Sequence, residues 1–260
     1  MPLIDNHFID SHCHLDFAEL ADDIDNVLNR ARKSGVAGFV VPGVSEPHWS
    51  RLLRLCAGHA DLYPALGLHP CFDHPNLENS LRRLERELQN RSELVAVGEI
   101  GLDLFIPDAD LDAQLAVLIP QLKLARTYQK PVLLHVRKAH DQVLKQLRQI
   151  KSEHAGLVHA FSGSEQQARE YLKLGFRLGI GGAVTYDRAT KLRKLVAELP
   201  LESFVLETDS PDMPLSGYQG QLNYPERVVQ IAAAVARIRQ QPLTEIIEVT
   251  TSQSMMILSL

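Results

Sequence analysis

One repetition restricts the fold of this chain more than any other feature: a short apolar run of strand length, followed by a segment with helical spacing of apolar residues, recurs eight times. The runs are Phe8 to His14, Gly38 to Val44, Leu62 to His69, Leu94 to Asp103, Pro131 to Arg137, Gly156 to Phe161, Phe176 to Gly182 and Phe204 to Asp209. Between them Asp22 to Ser34, Pro47 to His59, Leu77 to Gln89, Leu111 to Gln129, Ala139 to Ser152, Ser164 to Leu174 and Arg188 to Leu199 read as helices. Tyr224 to Arg239 follows the last strand, and Leu243 to Leu260 adds a further C-terminal helix. Short apolar strands separated by helices must pair in parallel and be covered on both faces. A closed (β/α)8 TIM barrel of the α/β class is the first expectation, and an open doubly wound sheet the second. No linker, internal repeat or block of like charge divides the chain, so residues 1–260 read as a single barrel domain, a length such barrels routinely reach.

Several classes are disfavoured on simple grounds. No apolar run reaches the roughly 18 to 20 residues of a membrane-spanning helix. Met1 to Phe8 lacks the basic-then-apolar order of a signal peptide, which makes the cytoplasm the default expectation. Cys13, Cys56 and Cys71 are three in number and show no CxxC spacing, so reduced thiols are expected rather than disulfides or a cysteine-rich zinc site. The net charge of -5 provides no global attraction to nucleic acid, although bound cations supply a local positive field of their own. A closed barrel leaves no sheet edge to pair, which makes a monomer the default.

Within this frame the polar residues at strand ends are the informative ones. His12 and His14 stand two apart on the first strand and leave the same face. Glu99 breaks an apolar run on the fourth strand, His135 ends Val132-Leu133-Leu134, His159 ends Leu157-Val158, and Asp209 ends the run that begins at Phe204. A lone strand-end histidine is more often structural than a ligand. Six such residues, all at the end of the barrel where active sites sit, point to one centre. An unpaired buried carboxylate is costly, so a cation is the expected partner of Glu99. Imidazole and carboxylate together suit zinc, manganese, iron or magnesium. Six donors exceed the roughly three side chains of a one-metal catalytic zinc site, so two divalent cations with Glu99 as the bridge are expected.

Other residues take secondary parts. Arg137 shares the inward side of His135, and its fork fits a phosphate; a solvated arginine at a strand end is the plainer reading. His69, before the rigid Pro70, is a similar candidate for substrate or leaving group, and Ser162 with Gly163 offers a hydroxyl and an N–H to an anion, unless the serine merely caps a helix. Asp10 and Glu207 sit two residues before His12 and Asp209 and are placed to support imidazoles from below, or to serve a structural purpose only. Tyr186, Tyr218 and Tyr224 lie on mouth-side segments where one of them could stack on a base. Asp212 to Asn223 is a candidate substrate-side flap. His7, His48, His59, His74, His140 and His154 read as non-ligands.

The motifs Asp10-Ser11-His12-Cys13-His14, Gly67-Leu68-His69-Pro70, Gly98-Glu99-Ile100-Gly101-Leu102-Asp103, Leu134-His135-Val136-Arg137, His159-Ala160-Phe161-Ser162-Gly163 and Glu207-Thr208-Asp209-Ser210-Pro211 resemble, as a series, those of the TatD family of metal-dependent deoxyribonucleases, within the amidohydrolase-like barrels and nearest its YjjV-like branch. The resemblance covers Phe8 to about Pro225. It implies that His12, His14, Glu99 and Asp209 hold one cation and Glu99, His135 and His159 the second, with zinc, magnesium or manganese supporting hydrolysis. It further implies a DNA or other phosphodiester substrate cleaved in the manner of a 3′–5′ exodeoxyribonuclease, with Asp209 and Glu99 as catalytic groups. Two departures stand out: Asn223-Tyr224-Pro225-Glu226 replaces the usual Asn-Glu-Pro, and Gln253 with Met256 to Leu258 replaces an Asn and a Leu-Phe pair. The rival reading is a small-molecule amidohydrolase acting on a lactone, amide or phosphoester. Those with two metals often use a carboxylated lysine where this chain has Glu99.

Overall fold

A computed structural model gives the positions of residues 7–260, so the part of the signal-peptide reading that falls on Met1 to Asn6 lies outside the described residues. Eight strands form one parallel sheet in the order of the chain: β1 (Phe8–Asp10), β2 (Val36–Pro42), β3 (Leu62–Leu66), β4 (Ala96–Asp103), β5 (Val132–Arg137), β6 (Gly156–Val158), β7 (Arg177–Ile180) and β8 (Phe204–Leu206). The first and last strands are drawn together by the Ser11 N–H donating to the Leu206 carbonyl at 3.0 Å. The Asp10 carboxylate completes the seam, accepting from the Thr208 N–H at 2.9 Å and the Thr208 hydroxyl at 2.5 Å. The TIM-barrel expectation therefore holds over the open-sheet one.

The helices are α1 (Ala18–Ala21), α2 (Ile24–Lys33), α3 (Trp49–Ala57), α4 (Leu77–Asn90), α5 (Leu111–Thr127), α6 (His140–Ile150), α7 (Glu165–Lys173), α8 (Thr190–Glu198), α9 (Val228–Arg239) and α10 (Leu243–Leu258). The helix expected from Asp22 to Ser34 is α2, and the one-turn α1 before it was not anticipated. None of the described helices is long and apolar enough to cross a membrane.

Two apolar layers hold the structure. The larger lies between sheet and helices and includes Phe39, Trp49, Leu84, Leu118, Tyr171 and Phe204. The smaller fills the barrel interior: Ile9, Val40, Ala65, Ala96, Leu133, Leu157 and Val205 each come from a different strand, and Leu258 of α10 closes the floor. This plug settles which end is open. Inward residues further along the same strands, such as His135 after Leu133 and His159 after Leu157, follow at the period of two and rise toward the mouth.

Strands are shorter than their apolar runs, because the chain leaves sheet pairing before the polar residues. His12 and His14 lie beyond β1, His69 beyond β3, His159 beyond β6 and Asp209 beyond β8. The segment after β1 nevertheless stays pinned on both sides, with the Cys13 N–H on the Val40 carbonyl at 3.1 Å and the His14 N–H on the Ser210 carbonyl at 2.7 Å.

Candidate metal centre

Glu99 is the geometric centre of the mouth, and a local irregularity puts it there. Ala96 faces the interior and Val97 the helices, so strict alternation would turn Glu99 outward. Between Val97 and Ile100 the β4–β5 register slips, with three steps on β4 against two on β5. That extra residue returns Ile100 to the outer layer and leaves Glu99 inside, 2 % exposed. The neighbouring loop comes very close at this point: a Cβ on Gly67 would lie 2.6 Å from the Glu99 carbonyl oxygen, so only glycine fits there.

The two oxygens of Glu99 face different donors. Oε2 lies 3.3 Å from His12 Nε2 and 3.5 Å from His14 Nε2. Oε1 lies 3.2 Å from His135 Nδ1, 3.4 Å from His69 Nε2 and 3.9 Å from His159 Nε2. Asp209 spans the same divide, with Oδ1 3.5 Å from His14 Nε2 and 3.8 Å from His12 Nε2, and Oδ2 3.7 Å from His159 Nε2. The structure thus brings together all six residues singled out as donors. The Nε2 atoms of His12 and His14 are 3.3 Å apart, close enough to share a proton or a cation.

Supporting groups orient the rings. His159 turns its Nδ1 to Glu207 Oε1 at 2.9 Å, and Glu207 is fully buried. Glu207 reaches this position because β7 has no side chain opposite it: a Cβ on Gly179 would sit 2.3 Å from Glu207 Oε2. His135 turns its Nε2 to Asp103 Oδ2 at 3.0 Å. Of the two carboxylates expected beneath the imidazoles, Glu207 therefore takes up that position while Asp10 does not. Asp10 is occupied by Thr208 and by the backbone N–H of His12 at 3.3 Å, so it fixes main chain rather than a ring. Asp103 takes the second supporting position, which the sequence reading left unassigned.

Helix α5 holds two of the loops that carry these groups. Gln114 clasps the Asp103 backbone, accepting from its N–H and donating to its carbonyl, each at 2.8 Å. Gln121 does the same to Leu68, at 2.8 Å and 3.0 Å, and so places His69 next door. Both glutamines are buried. Their signal in the sequence was two amides seven residues apart, and so on one side, of a largely apolar helix, where burial demands a partner.

The carboxylates at the centre have imidazoles as their only described partners of opposite charge. No lysine or arginine among the described residues pairs with Glu99, Asp103, Glu207 or Asp209; their ion-pair partners are imidazoles. Burial alone would push the Glu99 carboxyl up, but His69 and His12 beside it hold it well below the usual range. Burial would likewise lower His159, yet Glu207 and Asp209 raise it to about 10. A buried set of imidazole nitrogens and carboxylate oxygens whose only countercharge is protons on the rings suits divalent cations, which can take the place of those protons.

The centre opens into a cavity of about 820 Å³, lined further out by Arg137, Ser162, Arg188, Lys191, Asp212 and Met213. Arg137 lies over the Phe105 ring, 4.0 Å from its centroid. Ser162 lines the mouth but does not cap the following helix; Ser164 does, in a capping box with Gln167. His69 is closer to the donors than a remote substrate contact would be. Its Nδ1 accepts from the Cys71 N–H at 3.1 Å, which leaves the ring proton on Nε2, facing Glu99.

Two expectations are corrected at the rim. Tyr186, Tyr218 and Tyr224 do not line the cavity; they pair with Arg188, Arg227 and Arg30, at 5.0, 3.9 and 4.8 Å from the ring centroids. The aromatic faces at the mouth are those of Phe17, Phe72 and Phe161, which sequence alone could not tell from core. The segment Asp212 to Asn223 does border the cavity but is tied down: the Asn223 N–H donates to the Pro211 carbonyl at 2.8 Å, its side-chain amide to the Thr208 carbonyl at 2.8 Å, and the Tyr186 hydroxyl to the Pro214 carbonyl at 2.8 Å. The displaced Glu226 pairs with Arg30 at 2.9 Å and does not line the cavity.

Comparison with known proteins agrees with this geometry. A profile for TatD related DNases matches residues 9–259. The chain is 45 % identical over 240 residues to an uncharacterized metal-dependent hydrolase, YjjV, of Escherichia coli strain K12, covering 92 % of this chain and 93 % of that protein. It is 39 % identical over 261 residues to an uncharacterized metal-dependent hydrolase of Haemophilus influenzae, covering 97 % and 100 %. The crystal structure of YjjV, a TatD homolog from Escherichia coli K12, superposes with a TM-score of 0.95 at 42 % identity, covering 99 % of this chain and all of that one. With the family's profile matched from β1 to the end of α10 and the same barrel seen in a relative of this similarity, the chain belongs to the family of TatD related DNases.

Proposed function

We propose that this protein is a phosphodiesterase of the deoxyribonuclease type that works with two divalent cations, zinc, magnesium or manganese. The observation that carries the reading is the division of Glu99, whose Oε2 faces His12 and His14 while its Oε1 faces His135 and His159. In this reading His12, His14, Glu99 and Asp209 hold one cation and Glu99, His135 and His159 the other. When bound, the cations draw charge from the phosphoryl oxygens and make water acidic enough to attack.

The chain's own residues do the rest. Asp209, with one oxygen toward each donor group, accepts the proton of the attacking water. The new P–O bond forms as the ester P–O bond breaks in line, and the leaving oxygen takes up a proton from solvent. His69 presents its Nε2 proton beside Glu99 and steadies an oxygen of the substrate. Arg137 and Ser162 bind flanking phosphate at the mouth. A monomer in the cytoplasm completes the reading.

The test is elemental analysis of the purified protein, followed by digestion of oligonucleotides and bis(p-nitrophenyl) phosphate with each metal in turn. Release of nucleotides dependent on a bound cation is the expected result. Inert phosphodiesters together with efficient cleavage of a lactone or amide would replace this reading with that of a small-molecule amidohydrolase.

A further inference from the structure

A second group of metal-capable side chains meets on the rim, on the far side of His135 from Glu99. His69, Cys71 and His135 each offer a donor atom, all within 4.8 Å of one another. Asp103 joins them: its Oδ2 is 3.5 Å from Cys71 Sγ and 3.0 Å from His135 Nε2. In a tetrahedral zinc site with the usual bond lengths, neighbouring donors stand about 3.3 to 3.6 Å apart; the Cys71–Asp103 side matches this, and the shorter Asp103–His135 side needs to open by only a few tenths of an ångström to admit an ion. His69 stands beside the site, its Nδ1 accepting from the Cys71 N–H and its Nε2 proton facing Glu99, whereas the Nε2 of His135 already faces a donor of the site, Asp103 Oδ2. Asp103 is held in place, its backbone clasped by Gln114 and its Oδ1 accepting from the Phe105 N–H at 2.8 Å, which leaves Oδ2 for the thiol and the ring. Cys71 is the exposed one of the three cysteines, so an ion can enter from solvent.

We infer that Cys71 Sγ, Asp103 Oδ2 and His135 Nε2 form a separate cation site that takes a thiophilic divalent ion such as zinc or cadmium, with water as the remaining ligand. The thiol proton and the Nε2 proton of His135 pass to solvent as the Sγ and Nε2 bonds to the ion form, and no other bond changes. His135 becomes the wall between two sites, its Nδ1 still turned to Glu99 Oε1 at 3.2 Å. A thiolate donor selects soft ions such as zinc or cadmium over a hard one such as magnesium. The site stands on this geometry whatever the main centre hydrolyses.

Cadmium titration of the full chain, followed by sulfur-to-cadmium charge-transfer absorption, tests it. The imidazoles and carboxylates around Glu99 cannot produce that band, and Cys13 and Cys56 are buried. The expected result is a band that saturates at one equivalent of thiolate-bound cadmium, is lost in Cys71→Ser and in Cys71→Ala, and needs at least about tenfold more cadmium in Asp103→Asn. A wild-type protein without the band overturns the proposal. So does a band that survives either Cys71 substitution, or an unchanged midpoint in Asp103→Asn, with circular dichroism confirming that each variant is folded.

Discussion

Glu207 Oε1 lies 2.9 Å from His159 Nδ1, with the carboxylate sealed from solvent. A carboxylate on the outer nitrogen of a ligating imidazole fixes the tautomer and strengthens the ring as a donor. On the proposed assignment of His159 as a ligand, Glu207→Gln is expected to weaken divalent-cation binding by about 10- to 100-fold in calorimetric titration. Gly179→Ala should do the same without touching either residue, because its methyl group would overlap Glu207 Oε2. Unaltered affinity in both variants would remove the orienting role.

Asp209 has one oxygen toward His14 and the other toward His159, which suits it to take a proton between the two donor groups. Asp209→Asn is expected to lower kcat on a phosphodiester by about 10²- to 10⁴-fold. Metal content must be measured on the same sample. Full turnover with both cations retained would rule out the proton-accepting role.

Arg137 lies flat on Phe105 at the cavity edge and pairs with no carboxylate among the described residues, leaving its fork free for a phosphate. Arg137→Ala is expected to raise KM for an oligonucleotide about tenfold with kcat little changed, the signature of a contact made equally in ground and transition states. Arg137→Lys should recover only part of the loss, since an ammonium lacks the bidentate fork. A fall in kcat at constant KM would place Arg137 in the reaction itself.

His140 is buried behind the loop that carries His159 and Ser162, touching Phe161 and Tyr171. Burial lowers its pKa from 6.5 to about 4. Between those values the unfolded chain binds a proton that the folded chain does not, so stability falls as pH drops through this window. The loss amounts to about 3 kcal/mol by the lower end. Denaturant unfolding of wild type and His140→Gln from neutral pH to pH 4 should show the wild type losing ground steadily over that range. Parallel curves would mean that the ring is not held neutral by the fold.

How much of this was legible in the chain depends on how local the cause was. The eight alternations of strand and helix follow from spacing within segments of about ten residues, and they led directly to the barrel. His135 and His159 each follow an inward apolar residue by two positions, Leu133 and Leu157, so periodicity alone aims them at the interior. Glu99 was found by its chemistry, a carboxylate in an apolar run, although its direction contradicts simple alternation.

Sequence alone therefore determined the barrel and singled out six residues that the fold brings to one place, because backbone period and the cost of burying charge act within a few residues. The tertiary structure decided how those donors are arranged and supported. The slip between Val97 and Ile100 that turns Glu99 inward is set by pairing with β5. The choice of Asp103 over Asp10 as a supporting carboxylate depends on Thr208, 198 residues away, having claimed Asp10. Tyr224 is held at the rim by Arg30, a residue of the distant helix α2. Such pairings are contests between groups distant along the chain, and only the folded geometry shows which partner is within reach.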